Sequence, residues 1–192
     1  MQLYGTTTSP FVRRVRVVAQ EIGEPVEMID TAPDAGQAQL REVSPIRKVP
    51  VAIVDGRTIY DSRTIIDWLT TTRGWGTIAP PPDRWREQNL LTAIDGVLDS
   101  IIQLFYLRRD GVAVDGSPYA KRQLERTDAI FGWLGNELAA DRSFGLPALS
   151  LICALDWMDF RKTFPTEKLE TLAPLRAHWN DRASVAATRP RV

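Results

Sequence analysis

The sequence has few of the residues that usually carry metal, redox or nucleophilic chemistry. Its 192 residues include one cysteine, Cys153, and one histidine, His178. A single cysteine excludes an intramolecular disulfide and a Cys-x-x-Cys redox pair. One cysteine and one histidine cannot form the usual kind of zinc site, and no metal is expected. Cys153 lies in an apolar run, which favours a buried, inert thiol. We expect His178, which precedes Trp179, to be a partly buried structural residue.

The chain also lacks an excess of charge of either sign. Lysine plus arginine and aspartate plus glutamate both number 24, so the formal net charge is zero. A zero formal charge argues against electrostatic binding to nucleic acid or anionic lipid, although it leaves local charged patches open, and neither is expected as a partner. No apolar run approaches the length of a membrane span, and the N-terminus has no signal-peptide core. We therefore expect a cytoplasmic protein that does not bind a membrane.

The first 75 or so residues alternate strand and helix patterns. Apolar spacing predicts the order β-α-β-α-β-β-α, a small α/β domain at residues 1–75. Its last two strands form a hairpin around Asp55-Gly56. A proline- and glycine-rich stretch follows, and we place a linker at residues 76–83. The remaining pattern is all helix, predicting a domain at 84–192 with helices at 84–109, from Ser117-Pro118, at 147–162 and at 167–182, the last interrupted by Pro174.

Three short segments of the first domain carry polar groups in a pattern typical of peptide binding. Pro50 stands inside a strand-like run, where its missing N–H suits a cis peptide that presents the backbone of Val49 to a ligand. Asp61 and Ser62 open a helix, offering a carboxylate, a hydroxyl and free N–H groups to a zwitterionic amino-acid end. Ser9 places a hydroxyl just before the helix that starts at Pro10. Together these segments predict a site that reads a small peptide by its main chain.

These segments and their order resemble the glutathione S-transferase superfamily, over essentially the whole chain. Residues 44–50 (SPIRKVP) look like the stretch leading to its cis-proline, residues 60–66 (YDSRTII) like its acidic-Ser helix start, and residues 9–15 (SPFVRRV) like the active-site helix of its serine-type members, particularly small bacterial ones. The resemblance implies a thioredoxin-like N-terminal domain and an all-α C-terminal domain. It also implies a homodimer, in which the first domain of one subunit pairs with the long helix of the other.

The resemblance implies a catalytic serine and a set of glutathione contacts. Ser9 would stabilise the thiolate of glutathione, the co-substrate, for attack on a small, mostly apolar electrophile. Val49, with Pro50, would pair with the cysteinyl unit, and Asp61 and Ser62 would hold the γ-glutamyl end. Lys48 or Arg47 could meet the glycyl carboxylate. Phe11, with Tyr106, could line the pocket for the electrophile.

Several of these residues have plainer alternatives. Ser9 and Asp61-Ser62 could be helix caps only, and Lys48 and Arg47 solvated loop charges. Thr6, Thr7 and Thr8 are rival hydroxyls, and Thr8 is nearest to the helix. Tyr4 is a rival donor, although its place in a strand pattern favours core packing. For Tyr106, packing or surface exposure is the better prediction.

The sequence departs from the family at one place and leaves more than one function open. Residues 145–148 read Gly-Leu-Pro-Ala where the family usually has a Ser/Thr-x-x-Asp capping box, which affects local stability rather than the glutathione site. A non-catalytic transferase-like binding protein is the alternative function, because fold does not fix function. A thiol-disulfide oxidoreductase is disfavoured, because no cysteine lies near the first helix.

Overall fold

The N-terminal elements alternate strand and helix in the predicted order. The structure is a computed structural model that describes residues 1–191. The first elements are β1 (Gln2–Gly5), α1 (Pro10–Ile22), β2 (Glu27–Asp30), α2 (Asp34–Val43), β3 (Val51–Val54), β4 (Arg57–Ile59) and α3 (Ser62–Arg73). The predicted thioredoxin-like domain is thereby confirmed.

These strands form one mixed four-stranded sheet in the order β2-β1-β3-β4. Strand β1 runs parallel to β2, with α1 as the crossover, and antiparallel to β3. The β3–β4 hairpin turns at Asp55 and Gly56, both with positive φ, as the Asp-Gly pair predicts. In the register of β1 and β3, Tyr4 lies opposite Val51. The C-terminal end of β1 and the N-terminal end of β3 therefore lie at the same end of the sheet.

Helix α1 has residues suited to each of its ends. Ser9 caps its N-terminus and Pro10 occupies the first turn, where the missing N–H is not needed. Gly23 ends the helix with φ 74°, a left-handed conformation that favours glycine. Between these ends the helix buries Val12, Val15 and Val18 together with two arginines, Arg13 and Arg14. The arginines are the part of this face that hydropathy does not predict.

The second half of the chain is helical, as expected. It contains α4 (Arg84–Arg109), α5 (Pro118–Leu138), α6 (Leu146–Arg161), a short 3₁₀ helix (Thr166–Lys168), α7 (Ala173–Trp179) and α8 (Ala183–Ala187). Helix α4 packs against α5 and α6. Ser117 caps α5 through the N–H of Ala120, as predicted. Helix α6 is buried along most of its length, and its N-cap, Gly145, makes no side-chain capping bond.

The prediction of one amphipathic helix at residues 167–182 is wrong. The structure divides this stretch between the 3₁₀ helix, α7 and the start of a turn before α8. Pro174 lies in the first turn of α7, where proline is tolerated, so it starts a helix instead of interrupting one. His178, in the last turn of α7, is exposed rather than partly buried, with its ring 4.5 Å from that of Trp179.

The described chain divides into two compact units. One comprises residues 1–80 together with the segment from Asn180 onward, and the other comprises Pro81–Trp179. This division differs from the predicted one, in which residues 84–192 formed a single domain. The difference arises because the C-terminal segment packs on α1, where Arg13 donates to the Val185 carbonyl at 3.1 Å and to Thr188 Oγ1 at 3.3 Å.

A second attachment of the C-terminal segment lies at the carboxylate of Glu21 on α1. Arg182 donates to both Glu21 oxygens, at 2.7 and 2.6 Å, and the hydroxyls of Ser184 and Thr77 also donate to this carboxylate. We call these four residues the Glu21 cluster. Gly76 has φ +54°, and a Cβ there would lie 2.2 Å from the Glu21 carbonyl oxygen. Only glycine can therefore bring Thr77 so close to α1.

Helix α4 contradicts the expectation that no apolar run approaches the length of a membrane span. Helix α4 is long and apolar enough to cross a membrane by length and composition, although no such run was expected. Core helices of soluble proteins pass the same test, and 44% of the apolar window is buried inside the chain. The finding is weak evidence and carries no conclusion about a membrane.

Candidate functional site

Ser9 lies in the turn that joins β1 to α1. Its Oγ accepts a hydrogen bond from the backbone N–H of Val12 at 3.3 Å, so the serine is an N-cap. A hydroxyl has two acceptor lone pairs and one donor. The capping bond uses the oxygen as acceptor, which leaves the O–H free to serve as a donor in a second role. Capping and donation to a ligand are therefore compatible at Ser9.

The neighbouring hydroxyls are placed differently. Thr6 Oγ1 and Thr8 Oγ1 lie 3.4 Å apart, within hydrogen-bond distance of each other, and Thr7 is exposed. Tyr4 is 8% exposed and packs with Leu40 and Val51, which confirms its predicted place in the core. Of the candidate donors, Ser9 is the one at the N-terminus of α1.

The Val49–Pro50 peptide is cis, as predicted, and the Tyr60–Asp61 peptide is also cis. Strand β3 begins at Val51, so Val49 lies just outside the ladder that pairs β3 with β1. The Val49 side chain is half-buried and packs against the cluster of Tyr4, Leu40 and Val51, which holds this turn against the core. Lys48 and Arg47 are exposed. A backbone group next to a cis-proline and a flexible cation are therefore available on adjacent residues.

Asp61 and Ser62 occupy the N-terminus of α3 but differ in environment. Asp61 is exposed, and its Oδ1 accepts from the N–H of Arg63 at 2.8 Å, so it is the N-cap. Ser62 is 1% exposed, and its Oγ accepts from Arg14 Nε at 3.0 Å and Arg14 Nη2 at 2.6 Å. The capping alternative is thus observed for Asp61, while Ser62 is bonded to a residue that the sequence reading gave no role.

Arg14 is the residue that sequence reasoning missed. It belongs to the run SPFVRRV, in which the resemblance gives a function to Ser9 and none to Arg14. A usable signal was present, because Arg14 lies four residues before Val18, on the apolar side of α1. A charged residue in that position must be buried with partners, and partners mark a structural or functional site. Its guanidinium also lies 5.1 Å from the centre of the Phe11 ring.

Three predicted segments converge at one end of the first unit. The turn with Ser9 follows β1 and Val49-Pro50 precedes β3, so both lie at the same end of the sheet. The Arg14–Ser62 bonds tie the start of α3 to α1. The N-termini of α1 and α3 carry the positive ends of the helix dipoles. This end of the unit is therefore suited to bind negative charge.

The two predicted pocket aromatics are described separately, since they belong to different units. Phe11 is half-buried beside Arg14. Tyr106 is 48% exposed, with the guanidinium of Arg109 4.6 Å from its ring centre, which agrees with the prediction of surface exposure. Their shared role as an electrophile pocket stays a prediction.

The cysteine of the chain belongs to the second unit. Cys153 is buried in α6, as predicted. Within residues 1–191, no group of three or more histidine, cysteine, aspartate or glutamate side chains is placed to hold a metal ion.

The first unit matches a known family. The profile of the family described as "Glutathione S-transferase, N-terminal domain" matches residues 3–79. Over 199 residues the chain is 25% identical to the uncharacterized GST-like protein YibF of Escherichia coli (strain K12), covering 99% of this chain and 98% of that protein.

Solved structures extend the similarity to the whole chain. A glutathione transferase family member from Pseudomonas fluorescens Pf-5, with bound glutathione, is 30% identical, with a TM-score of 0.81 and coverage of 100% of this chain and 99% of that one. A glutathione S-transferase from Methylobacillus flagellatus KT, with GSH bound, is 27% identical, with a TM-score of 0.83 and 99% coverage of both chains. These relatives share both halves of the fold.

Proposed function

Because the chain belongs to the glutathione S-transferase superfamily, we propose that it is a glutathione transferase that activates the thiol of glutathione for attack on small, mostly apolar electrophiles. The observation that carries the proposal is the convergence of Ser9, Val49-Pro50 and Asp61-Ser62 at one end of the first unit. The glutathione bound in the relative from Pseudomonas fluorescens supports the choice of ligand.

Activation requires stabilisation of the thiolate. A free thiol has a pKa of about 8.5, so a few per cent is ionised at neutral pH. The O–H of Ser9 and the positive end of α1 both favour the anion. Each unit of pKa lowering needs about 1.4 kcal/mol of preference for the anion, which one charge-assisted bond can supply. Ser9 therefore takes the catalytic role.

The rest of glutathione is held by its backbone and its charges. The backbone N–H and C=O of Val49 pair with the cysteinyl unit, as an added strand does, with Pro50 holding the turn. The exposed carboxylate of Asp61 meets the γ-glutamyl ammonium, and the first turn at Ser62 meets the γ-glutamyl carboxylate. Lys48 meets the glycyl carboxylate, and Phe11 contributes apolar surface near the thiol.

The direct test is ultraviolet absorbance of the thiolate while glutathione is titrated into the pure protein at pH 6.5 to 7.5, where about 1 to 10% of the free thiol is ionised. An enzyme of the proposed kind gives a saturable thiolate signal. Binding by calorimetry without a thiolate signal would instead favour the non-catalytic binding protein. Absence of binding would reject both.

Asp61→Asn is expected to weaken glutathione binding by about 10- to 100-fold, the effect of losing one charge-assisted contact. Asparagine caps a helix as well as aspartate does, so α3 and the thermal midpoint should change little. Asp83→Asn is the matched control, since Asp83 caps α4 through the N–H groups of Trp85 and Arg86. Calorimetry measures glutathione binding to both variants. If Asp61→Asn binds glutathione as tightly as Asp83→Asn does, Asp61 is not part of the site.

We also propose that the protein is a homodimer, on family grounds alone. An apolar stripe along α4 wider than one chain can cover would be independent support for a dimer. Within the described chain Leu90, Leu91, Ile94, Val97, Leu98, Ile101 and Leu104 are each at most 3% exposed, so most of the stripe is already covered. Light scattering at micromolar concentration should still give twice the 21.6 kDa chain mass. A mass of one chain would contradict the dimer.

A further inference from the structure

Two adjacent arginines on α1 are almost fully buried, and they donate hydrogen bonds to different segments of the chain. Arg13 is 1% exposed and Arg14 is 2% exposed. Arg13 donates to Val185 and Thr188 of the C-terminal segment, whereas Arg14 donates to Ser62 at the start of α3. Burying a guanidinium is costly unless it is well bonded, so both positions need an explanation. Anchoring the C-terminal segment explains Arg13, and Arg14 reaches the candidate site instead.

The bonds from Arg14 determine what the Ser62 hydroxyl can do. Its oxygen accepts two N–H groups of one planar guanidinium, from Nε at 3.0 Å and from Nη2 at 2.6 Å. These two bonds occupy both acceptor lone pairs of the hydroxyl, and its remaining capacity is that of a donor. Ser62 is 1% exposed, so water does not compete for these bonds. The hydroxyl can therefore donate to an anion, but it has no free lone pair with which to accept from an ammonium.

The charge of Arg14 acts in the same direction. Its guanidinium lies against Ser62, the first residue of α3, where the positive end of the helix dipole already favours negative charge. Asp61, one residue earlier, is exposed and carries the opposite charge. Asp61 therefore suits a cationic group of a ligand, and Ser62 suits an anionic group. The buried guanidinium of Arg14 strengthens the preference at Ser62.

We propose that Arg14 is a positioning residue for the γ-glutamyl carboxylate of glutathione, acting by fixing Ser62 and the first turn of α3. This inference rests on the proposed function. It concerns binding rather than chemistry, because the thiol end of glutathione lies at Ser9. Loss of Arg14 should therefore raise KM and Kd for glutathione and leave kcat nearly unchanged.

The experiment compares Arg14→Met and Arg14→Lys with Arg13→Met, the matched loss of a neighbouring buried arginine. Arg14→Met should raise Kd by about 10- to 100-fold, as expected for loss of a charge-assisted interaction. Arg14→Lys should recover part of the affinity, since it keeps the charge and lacks the planar pair of donors. Arg13→Met should lower the thermal midpoint with little change in Kd. If Arg14→Met does not fold, Arg14→Lys alone decides, by the ligand comparison below.

Two glutathione analogues locate the effect on the ligand. One has a 4-aminobutanoyl group in place of γ-glutamyl and so lacks the carboxylate, and the other has a glutaryl group and lacks the ammonium. The Arg14 variants should bind the first analogue as well as the unmodified protein does, and lose affinity for the second. A double-mutant cycle with Ser62→Ala should show that removing Arg14 raises Kd by a smaller factor once the hydroxyl is gone, since only the effect of the charge then remains.

The outcomes separate this inference from the proposed function. If the unmodified protein does not bind glutathione, the proposed function fails and this inference fails with it. If it binds glutathione, but the Arg14 variants keep its affinity or lose affinity equally for both analogues, Arg14 is structural and only this inference is overturned. Additive effects of Arg14→Met and Ser62→Ala would likewise overturn the action through Ser62.

Discussion

Ser9→Ala should lower turnover at neutral pH by about 10- to 1000-fold, the loss expected when one donor to a developing anion is removed. Glutathione should still bind, because Val49, Asp61 and Ser62 are unchanged. In the thiolate titration, the variant should show a higher pKa for the bound thiol. Steady-state rates with a small aromatic electrophile, measured beside that titration, check both parts of the expectation.

The control for Ser9→Ala must separate catalysis from capping. Ser9 accepts from Val12 N at 3.3 Å, so alanine also removes a helix cap, at a cost of about 1 kcal/mol. Ser117 has the same role in α5, where it precedes Pro118 and accepts from Ala120 N at 3.1 Å. Ser117→Ala should therefore lose similar stability and keep its turnover. If Ser9→Ala is as active as Ser117→Ala, the catalytic assignment moves to Thr8, and Thr8→Ala becomes the next variant to measure.

The Glu21 cluster should make the first unit sensitive to acid. Burial alone would raise the pKa of Glu21, but the bonds from Arg182, Ser184 and Thr77 outweigh it and lower the pKa from 4.5 to about 2. A lowered folded-state pKa contributes stability that is present above pH 4.5 and lost as the pH falls towards 2. The contribution is therefore present in full at neutral pH.

Glu21→Gln tests this contribution. The variant should be less stable than the unmodified protein at pH 7, and the difference should shrink as the pH falls through the range between the two pKa values. Urea unfolding from pH 7 down to pH 3 measures it. Glu137→Gln is the control, because Glu137 pairs with Arg86 at 3.2 Å on a partly exposed surface, where an ion pair contributes about 1 kcal/mol or less. A constant difference between Glu21→Gln and the unmodified protein across this range would show that Glu21 has its ordinary pKa.

Local patterns were enough to predict most elements of the fold. Helix α4 has its predicted bounds, and α1 and α5 begin at the prolines that follow their serine caps. These features depend on residues near in sequence, such as a cap, a first-turn proline or a repeating apolar face. The cis peptide before Pro50 was predictable for the same reason, since proline inside a strand pattern has few other uses.

The features that could not be predicted depend on long-range contacts of polar residues. Arg13 meets Val185 and Arg14 meets Ser62 across large sequence separations. Nothing in the local pattern pairs these residues, and hydropathy assigns both arginines to solvent. For that reason the sequence does not predict that the C-terminal segment packs on α1. It also does not predict that the Ser62 hydroxyl accepts hydrogen bonds from Arg14. The neighbouring Trp179 was likewise no guide to the burial of His178, which is exposed.

The return of the chain at Asn180 makes the first unit discontinuous in sequence, with the helical unit as an insertion. A fragment cut after Pro80 would keep every strand of the sheet and lose the partners of two charged groups on α1. The Arg13 guanidinium would lack the Val185 carbonyl and Thr188, and the Glu21 carboxylate would lack Arg182 and Ser184. Residues 1–80 are therefore poorly suited to separate expression, and a fragment made to test glutathione binding should include the C-terminal segment.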